Sequence, residues 1–407
     1  MKNNRTFLEK LLDGAEVEWK TVKSLCNDNF WLMPATPEFD DNGNIPYITS
    51  KNIKGGKIDF QNTKYINEYV YQELSRTRCI IENDILISMI GTIGEAVIVK
   101  KEDLYFYGQN MYVLRLNNEL VNHKFFLYYF TAPFILNSLL SKKNSSNQGY
   151  LKAGQIESLK IPIPPLSVQT EIVKILDALT TLTSELTSEL ILRQKQYEYY
   201  REKLLSEEEL GKVGFEWKTI DEISKKISSG GTPTTSNNGY YDNGTIPWLR
   251  TQEVDFKEIW DTNIKITEDA LNNSSAKWIP ANCVIVAMYG ATVGKTAINK
   301  IPLTTNQACA NIEINDKLAC YRYIFHYLTS KYEYIKSLGS GSQTNINAQI
   351  IKKLKVPVPP IEEQHRIVSI LDKFETLTNS ITEGLPLAIE QSQKRYEYYR
   401  ELLLNFS

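Results

Sequence analysis

Apolar residues recur at steps of three and four through Val168, Ile172, Ile175, Leu179, Leu182, Leu186 and Leu190, the seam of a long amphipathic helix. Neither Pro nor Gly interrupts residues 169–205, so one helix of roughly 55 Å is predicted at ~1.5 Å per residue. A second seam runs through Ile367, Ile370, Phe374, Leu377 and Ile381, and Gly384-Leu385-Pro386 predicts a kink or restart after it. Helices with one apolar stripe are marginal alone, which predicts that the two pair antiparallel. Ahead of each seam the runs shorten to strand length. Residues 80–81 and 85–90 flank Glu82-Asn83-Asp84, and residues 96–99 follow a Gly-rich turn. Helical runs are predicted at 124–140 and 321–334. Pro164-Pro165 and Pro359-Pro360 then close each β-rich part, because proline joins neither a ladder nor a helix interior.

These elements occur twice. Glu18-Trp19-Lys20-Thr21 recurs as Glu216-Trp217-Lys218-Thr219, and Ile45-Pro46-Tyr47 as Ile246-Pro247-Trp248. The strand before Gly91 and Gly94 matches the one before Gly290 and Gly294. Ile161-Pro162-Ile163-Pro164-Pro165 returns as Val356-Pro357-Val358-Pro359-Pro360, and Gln196-Tyr197-Glu198-Tyr199-Tyr200-Arg201 as Arg395-Tyr396-Glu397-Tyr398-Tyr399-Arg400. The offset runs from 195 (Pro164 to Pro359) to 201 (Ile45 to Ile246), so two copies fill the chain. Phe7-Leu8-Glu9-Lys10-Leu11-Leu12 resembles Tyr200-Arg201-Glu202-Lys203-Leu204-Leu205, which predicts that the chain opens inside the tail of a repeat and is circular in order. Both termini are then expected near equivalent places in a pseudo-two-fold object.

Composition narrows the class. Of 407 residues, 42% are hydrophobic and 23% charged, enough for real cores, and length alone suggests two or three domains. Lys+Arg 46 against Asp+Glu 48 gives a net charge of −2, unlike a protein that coats nucleic acid by charge. Five scattered cysteines without a CxxC pair read as free thiols of a reducing cytoplasm, and three histidines without ligand spacing make metal catalysis an unfavoured reading. The polar opening is not a signal peptide, and the uncharged stretch 125–141 contains Thr131, Pro133 and Asn137, so a buried helix is expected there rather than a membrane span.

Two motifs imitate catalytic ones. Gly290-Ala291-Thr292-Val293-Gly294-Lys295-Thr296 lacks one residue of a phosphate-binding loop, and its copy has Glu95 where Lys295 stands. A tight strand–turn–strand element is the better reading. Glu18-Trp19-Lys20 and Glu216-Trp217-Lys218 have no Pro-Asp partner, so they are expected to be strands seating Trp in the core. No GxSxG elbow or dinucleotide fingerprint is present. Thr183-Ser184-Glu185-Leu186 repeats at once as Thr187-Ser188-Glu189-Leu190. This is either an ordinary amphipathic stretch or a unit that lengthens the helix by ~6 Å per copy. Two matched but diverged domains on a stiff helix suit a split DNA target, since ~55 Å spans about 16 base pairs. A bivalent protein scaffold and a nucleotide-using enzyme are the alternative readings.

Taken jointly, the Ile-Pro-x-Pro-Pro-x(3)-Gln segments at 161–169, their counterpart at 356–364, the Tyr-Glu-Tyr-Tyr-Arg helix ends and the Gly turns resemble the specificity (S) subunits of type I restriction–modification systems, over essentially the whole chain. The Thr-Ser-Glu-Leu pair is similar to the spacer repeat of one subclass, where repeat number sets spacer length. The resemblance implies an α+β fold with two pseudo-symmetric target recognition domains of mixed β-sheets, separated by two long antiparallel coiled-coil-like helices. The segments would be 1–13 (N-terminal fragment of the conserved helical region), 14–165 and 212–360 (recognition domains), and 166–211 and 361–407 (conserved helices). It implies a non-catalytic chain in the cytoplasm that binds double-stranded DNA, two adenine-methylating modification subunits and restriction subunits. S-adenosylmethionine, ATP and Mg would then be held by those partners, with no cofactor, metal or catalytic residue in this chain.

Base readout favours Arg, Lys, Asn and Gln on loops. The candidates are Lys51 and Asn52, matched by Arg250, Thr251 and Gln252, then Thr92, Lys295 and Thr296 at the Gly turns. Lys142, Lys143, Asn144 and Gln148, with Gln343 and Asn345, complete the set. Each could equally be a solvated loop or capping residue. Tyr197, Tyr199, Tyr200 and Arg201, and Tyr396, Tyr398, Tyr399 and Arg400, are expected at partner interfaces rather than stacked on bases.

Overall fold

The computed structural model describes residues 7–141, 150–339, 345–380 and 382–406. The chain is α+β and divides into two compact units, residues 1–185 with 389–407, and residues 186–388.

In the first unit the sheet order is Cys26–Leu32, Met111–Leu116, Ile85–Ser88 and Ala96–Ile98, all antiparallel. Its alternation splits the interior into two cores. Ile85, Ile87, Tyr112 and Leu114 point to a core shared with Phe125, Phe126, Phe130 and Ile172, whereas Leu86, Met111 and Val113 point to a core with Ile45, Tyr47 and Phe106. A mixed sheet supplies that second core: Ile45–Thr49 lies antiparallel to Lys64–Ile66 and parallel to Tyr107–Gln109. Residues 80–81, predicted as a strand, lie outside the ladders.

The second unit repeats the plan. Ser224–Ser229, Cys309–Ile314, Val284–Ala287, Thr296–Asn299 and Lys257–Ile259 form one sheet, and a second is built on Ile246–Leu249 and Leu303–Thr305. Val284 and Val286 face the helices, Ile285 and Ala287 the other sheet. The predicted helical runs are each broken in two. His123–Phe130 precedes Pro133–Ser141, and Tyr321–Ser330 precedes Tyr332–Ser337. Pro133 opens its helix at the position where a missing N–H costs nothing.

The central helix spans Leu166–Leu204 without interruption. The division between the units falls inside its tandem, after Glu185. The second seam ends at Asn379 and a new helix, Leu385–Leu404, starts after Gly384, so the break is a restart. Gly384 has φ +86, and a Cβ there would meet the Thr376 carbonyl oxygen at 2.5 Å. Only glycine fits. Ile381 lies outside the described residues.

Each unit pairs its globular part with two helix segments. In the first unit, Thr183 and Ser392 share a hydroxyl hydrogen bond of 2.8 Å, and Leu403 and Leu404 enter the core beside Leu8. In the second, Tyr197 and Tyr200 meet Phe374, while Leu204 and Leu205 join Ile367 and Leu371. The last helix of the chain therefore does for the first unit what the end of the central helix does for the second. One expectation is corrected here. Phe7–Leu12 takes the place of Glu207–Gly211 rather than of residues 200–205. Both short helices are followed by a positive-φ glycine, Gly14 or Gly214, and then by the Glu-Trp-Lys-Thr strand.

Candidate nucleic-acid interface

Three segments converge in each unit. In the first, the Ser50–Asn52 turn leaves the end of the Ile45–Thr49 strand. The Thr92 hydroxyl, on the Gly turn, donates to the Ser50 carbonyl at 2.9 Å. The chain re-enters beside them after residue 149: the Leu151 N–H donates to the Met89 carbonyl at 3.1 Å, and Tyr150 bridges Ile90. The second unit builds the same corner. Thr292 donates to the Thr251 carbonyl at 2.7 Å, and the Ile346 N–H to the Met288 carbonyl at 3.0 Å.

Within this corner the predicted residues separate. Lys51 and Gln252 are exposed on the two turns and occupy equivalent positions, since Ser50 and Thr251 just before them accept the same hydroxyl bond. Asn52 is buried and turned inward. Its carbonyl accepts from the Thr49 N–H and hydroxyl, and its amide donates to the carbonyls of Asp59 and Asn62 at 3.1 and 3.2 Å. It holds the turn's shape and has no group left for a base edge. Glu253 is its buried counterpart, accepting the Asn263 N–H at 2.8 Å. Arg250 is half-buried, with Nε lacking a partner.

Thr296 is a correction of another kind. It lies one residue into a central strand, fully buried, with its hydroxyl against that of Thr329 at 2.7 Å. Lys295 forms a 2.6 Å ion pair with Asp255 and sits 5.6 Å from the Phe256 ring centroid. Its counterpart Glu95 instead accepts the Gly55 N–H at 3.0 Å. Asn345 is half-buried where the chain re-enters, its Oδ1 without a partner. Lys142, Lys143, Asn144, Gln148 and Gln343 lie outside the described residues.

The helix-end clusters are split between contacts inside their own unit and exposed rings. Arg201 stacks over Tyr197 and Arg400 over Tyr396, at 5.3 and 5.8 Å. Arg400 donates to the Tyr128 carbonyl and Thr131 hydroxyl. Tyr200 stacks on Phe374 and Tyr399 meets Phe7, and burial pushes the Tyr197 phenol up to about 12. A helical period of 3.6 puts 197, 200 and 201 on the packed face and turns Tyr199 outward, as it does Tyr398 in the last helix. Those two are 57% and 63% exposed.

The strand tryptophans also depart from expectation. Trp19 and Trp217 are 48% and 44% exposed. Each lies on a two-stranded ribbon, opposite Pro162 or Pro357, and such a ribbon is covered on one side only. The residues seated in the core just beyond are Val22 and Ile220.

Sequence reasoning missed a charged joint between the sheets' flanking helix and the long helices. Asp177 accepts from Lys124 and Tyr128 at 2.6 and 2.7 Å. At the equivalent place Asp372 accepts from Arg322 and holds the buried His326 at 2.8 Å, with Glu375 alongside. Arg322 also pairs with Glu258. His326, Asp372 and Glu375 could by spacing hold a metal ion, but the Arg322 guanidinium already fills that cluster with positive charge. Burial acts to raise the Asp372 carboxyl, and the hydrogen bonds and charges of His326 and Arg322 outweigh it, so the group titrates below its ordinary range. Burial holds Glu375 above its own. The signal was Arg322 and His326 standing in an otherwise apolar run.

Gln169 and Gln364, in the proline joints, are fully buried. Gln169 accepts the Asn122 N–H at 2.8 Å and donates to the Pro164 and Leu120 carbonyls. Gln364 accepts the Cys320 N–H and donates to the Pro359 carbonyl, both at 2.8 Å.

The model of the type I restriction modification DNA specificity domain matches this chain twice, over residues 15–193 and 212–391. The chain is 39% identical to a Haemophilus influenzae protein named as a type I restriction enzyme specificity subunit, S.HindORF215P, over the full length of both. It is 37% identical to the EcoR124I/EcoR124II specificity subunit of Escherichia coli, covering 98% of this chain and 97% of that one. The crystal structure of the S subunit of a type I restriction–modification system from M. genitalium superposes with a TM-score of 0.57 at 15% identity, over 97% and 98% of the two chains. Among the described residues no helix is long and apolar enough to cross a membrane.

Proposed function

The chain belongs to the type I restriction–modification DNA specificity family, and we propose that it reads a split, asymmetric DNA sequence, one half per unit, while its partners perform the chemistry. The observation that carries this reading is the contrast inside the repeat. The joints are held by the same bonds in both units, whereas the corner where three loops meet presents Lys51 and Glu95 in one and Gln252 and Lys295 in the other. A common scaffold with different side chains at this corner suits two different half-sites. Double-stranded DNA is the ligand, and the central helix, with its Thr-Ser-Glu-Leu tandem, sets the number of unread base pairs between the halves.

Surfaces that are alike in the two units suit two copies of one partner. Trp19 with Trp217, and Tyr199 with Tyr398, are exposed in both and are assigned to two adenine-methylating modification subunits, through which restriction subunits join. S-adenosylmethionine, ATP and Mg belong to those partners, and the complex works in the cytoplasm.

The test is a genome-wide map of methylated adenines in strains with and without this gene, the modification subunit being expressed in both. Loss of one split motif is expected on deletion. An unchanged map would overturn the reading.

A further inference from the structure

Residues 53–58 of the first unit form a β-hairpin with Ile53 opposite Ile58 and Lys54 opposite Lys57. Its turn is Gly55-Gly56, with φ of +55° and +71°, the left-handed pair that a two-residue hairpin turn requires. Ile53 is buried in the second core and Ile58 packs against it. Alternation then sends Lys54 and Lys57 out together on the opposite face. Both are exposed, as is Lys51 just before them, and open space surrounds the glycine tip.

Residues 51–58 contain three lysines and no acid. Among the described residues none of the three forms an ion pair. The nearby carboxylates bond elsewhere: Glu95 accepts the Gly55 N–H, which fixes the tip, and Asp59 accepts the Gln61 N–H at 2.9 Å and the Asn62 amide, with the Lys54 charge near it but not in contact. Two like charges directly across a hairpin repel, an arrangement that costs stability in the free protein and that an anion between them relieves. Lysine ammonium groups are compact point charges that suit phosphate oxygens. Among its described residues the second unit has no such hairpin. There Asp255 pairs with Lys295, and Lys257–Ile259 joins a sheet in parallel with Thr296–Asn299.

We propose that the 53–58 hairpin is a phosphate clamp of the first unit, in which Lys54 and Lys57 hold the DNA backbone beside the half-site this unit reads. It rests on the DNA-reading function proposed above. It also accounts for how a chain of net charge −2 meets a polyanion, by concentrating positive charge on one projecting element.

The experiment uses the full chain assembled with its modification subunits and duplexes selected by the wild-type complex from a randomised pool. Replacing both lysines, Lys54→Gln with Lys57→Gln, should weaken binding on the order of thirtyfold near physiological salt and lower the slope of log affinity against log salt by about 1.8. Lys54→Arg with Lys57→Arg should restore both, and the selected sequence should stay the same throughout. Unchanged affinity and slope in the glutamine variant would overturn the clamp, as would a changed half-site, which would make the lysines base readers. Both glutamine changes are on exposed side chains, so loss of folding does not mask the result. A wild-type complex that selects no split sequence removes the underlying reading itself, which separates that failure from failure of the clamp.

Discussion

The two units place one carboxylate at the same joint and surround it differently. Asp177 meets Lys124, whose side chain is 57% exposed, and the Tyr128 phenol. Asp372 meets Arg322 and a fully buried His326, with Glu375 and Glu258 drawn in. The repeat thus preserves the acceptor and its place while exchanging a hydrated contact for a desolvated network. Removing one partner of a buried network strands the others, whereas an exposed pair contributes little. Identical architecture therefore need not mean identical sensitivity, and the two units should respond unequally wherever the fill differs and equally wherever it is shared.

The shared joint should give the largest effect. Gln169→Ala strands the Asn122 N–H and the Leu120 and Pro164 carbonyls, at about 1–3 kcal/mol for each buried group, so a loss of about 4 kcal/mol is expected. Gln364→Ala strands two such groups, the Cys320 N–H and the Pro359 carbonyl, and should cost about 3 kcal/mol. Urea unfolding followed by hydrogen exchange would show each loss in its own unit. A large loss in one variant and none in the other would break the equivalence.

The unequal joint comes next. Asp372→Asn should destabilise the second unit by about 3 kcal/mol, Asp177→Asn the first by about 1 kcal/mol. The Asp372 carboxyl titrates below its ordinary value of 3.8, so its contribution is present above that pH and is lost as pH falls through the folded-state value. Thermal melts of the wild type from pH 6 downwards, compared with Asp372→Asn, should show this acid-side decline flattened by the substitution. A steeper decline in the variant would refute the assignment.

How much of this was legible in the sequence follows from what each feature depends on. The repeat, the seams and the proline joints are patterns of residue type along the chain, and they read directly. The inward turn of Asn52 and Thr296 is different, since a polar residue beside a turn looks the same whether it caps the loop or faces solvent. Trp19 misled because aromatic size suggests a core, while a two-stranded ribbon leaves one face open. The helix-end tyrosines divide by phase: the period of 3.6 turns Tyr199 away from Tyr197, which residue type alone does not show. The Lys54-Gly55-Gly56-Lys57 hairpin had a signal, two residues of the right kind between short runs, that could have been read.

The smallest effect tests the interface itself. Thr92 and Thr292 tie the Gly turns to the 50–52 and 251–253 turns through equivalent hydrogen bonds of 2.9 and 2.7 Å. Valine has nearly the same shape and lacks the donor, so Thr92→Val and Thr292→Val should each cost about 1 kcal/mol of stability. The more telling readout is sequence preference. Loosening one turn lets the exposed side chain beside it, Lys51 or Gln252, sample more positions, which blurs discrimination without removing backbone contacts. Thr92→Val should therefore relax one half of the methylated motif and Thr292→Val the other, with spacer length unchanged in both. Two variants that relax the same half would break the assignment of one unit to one half-site, even if every stability measurement came out as expected.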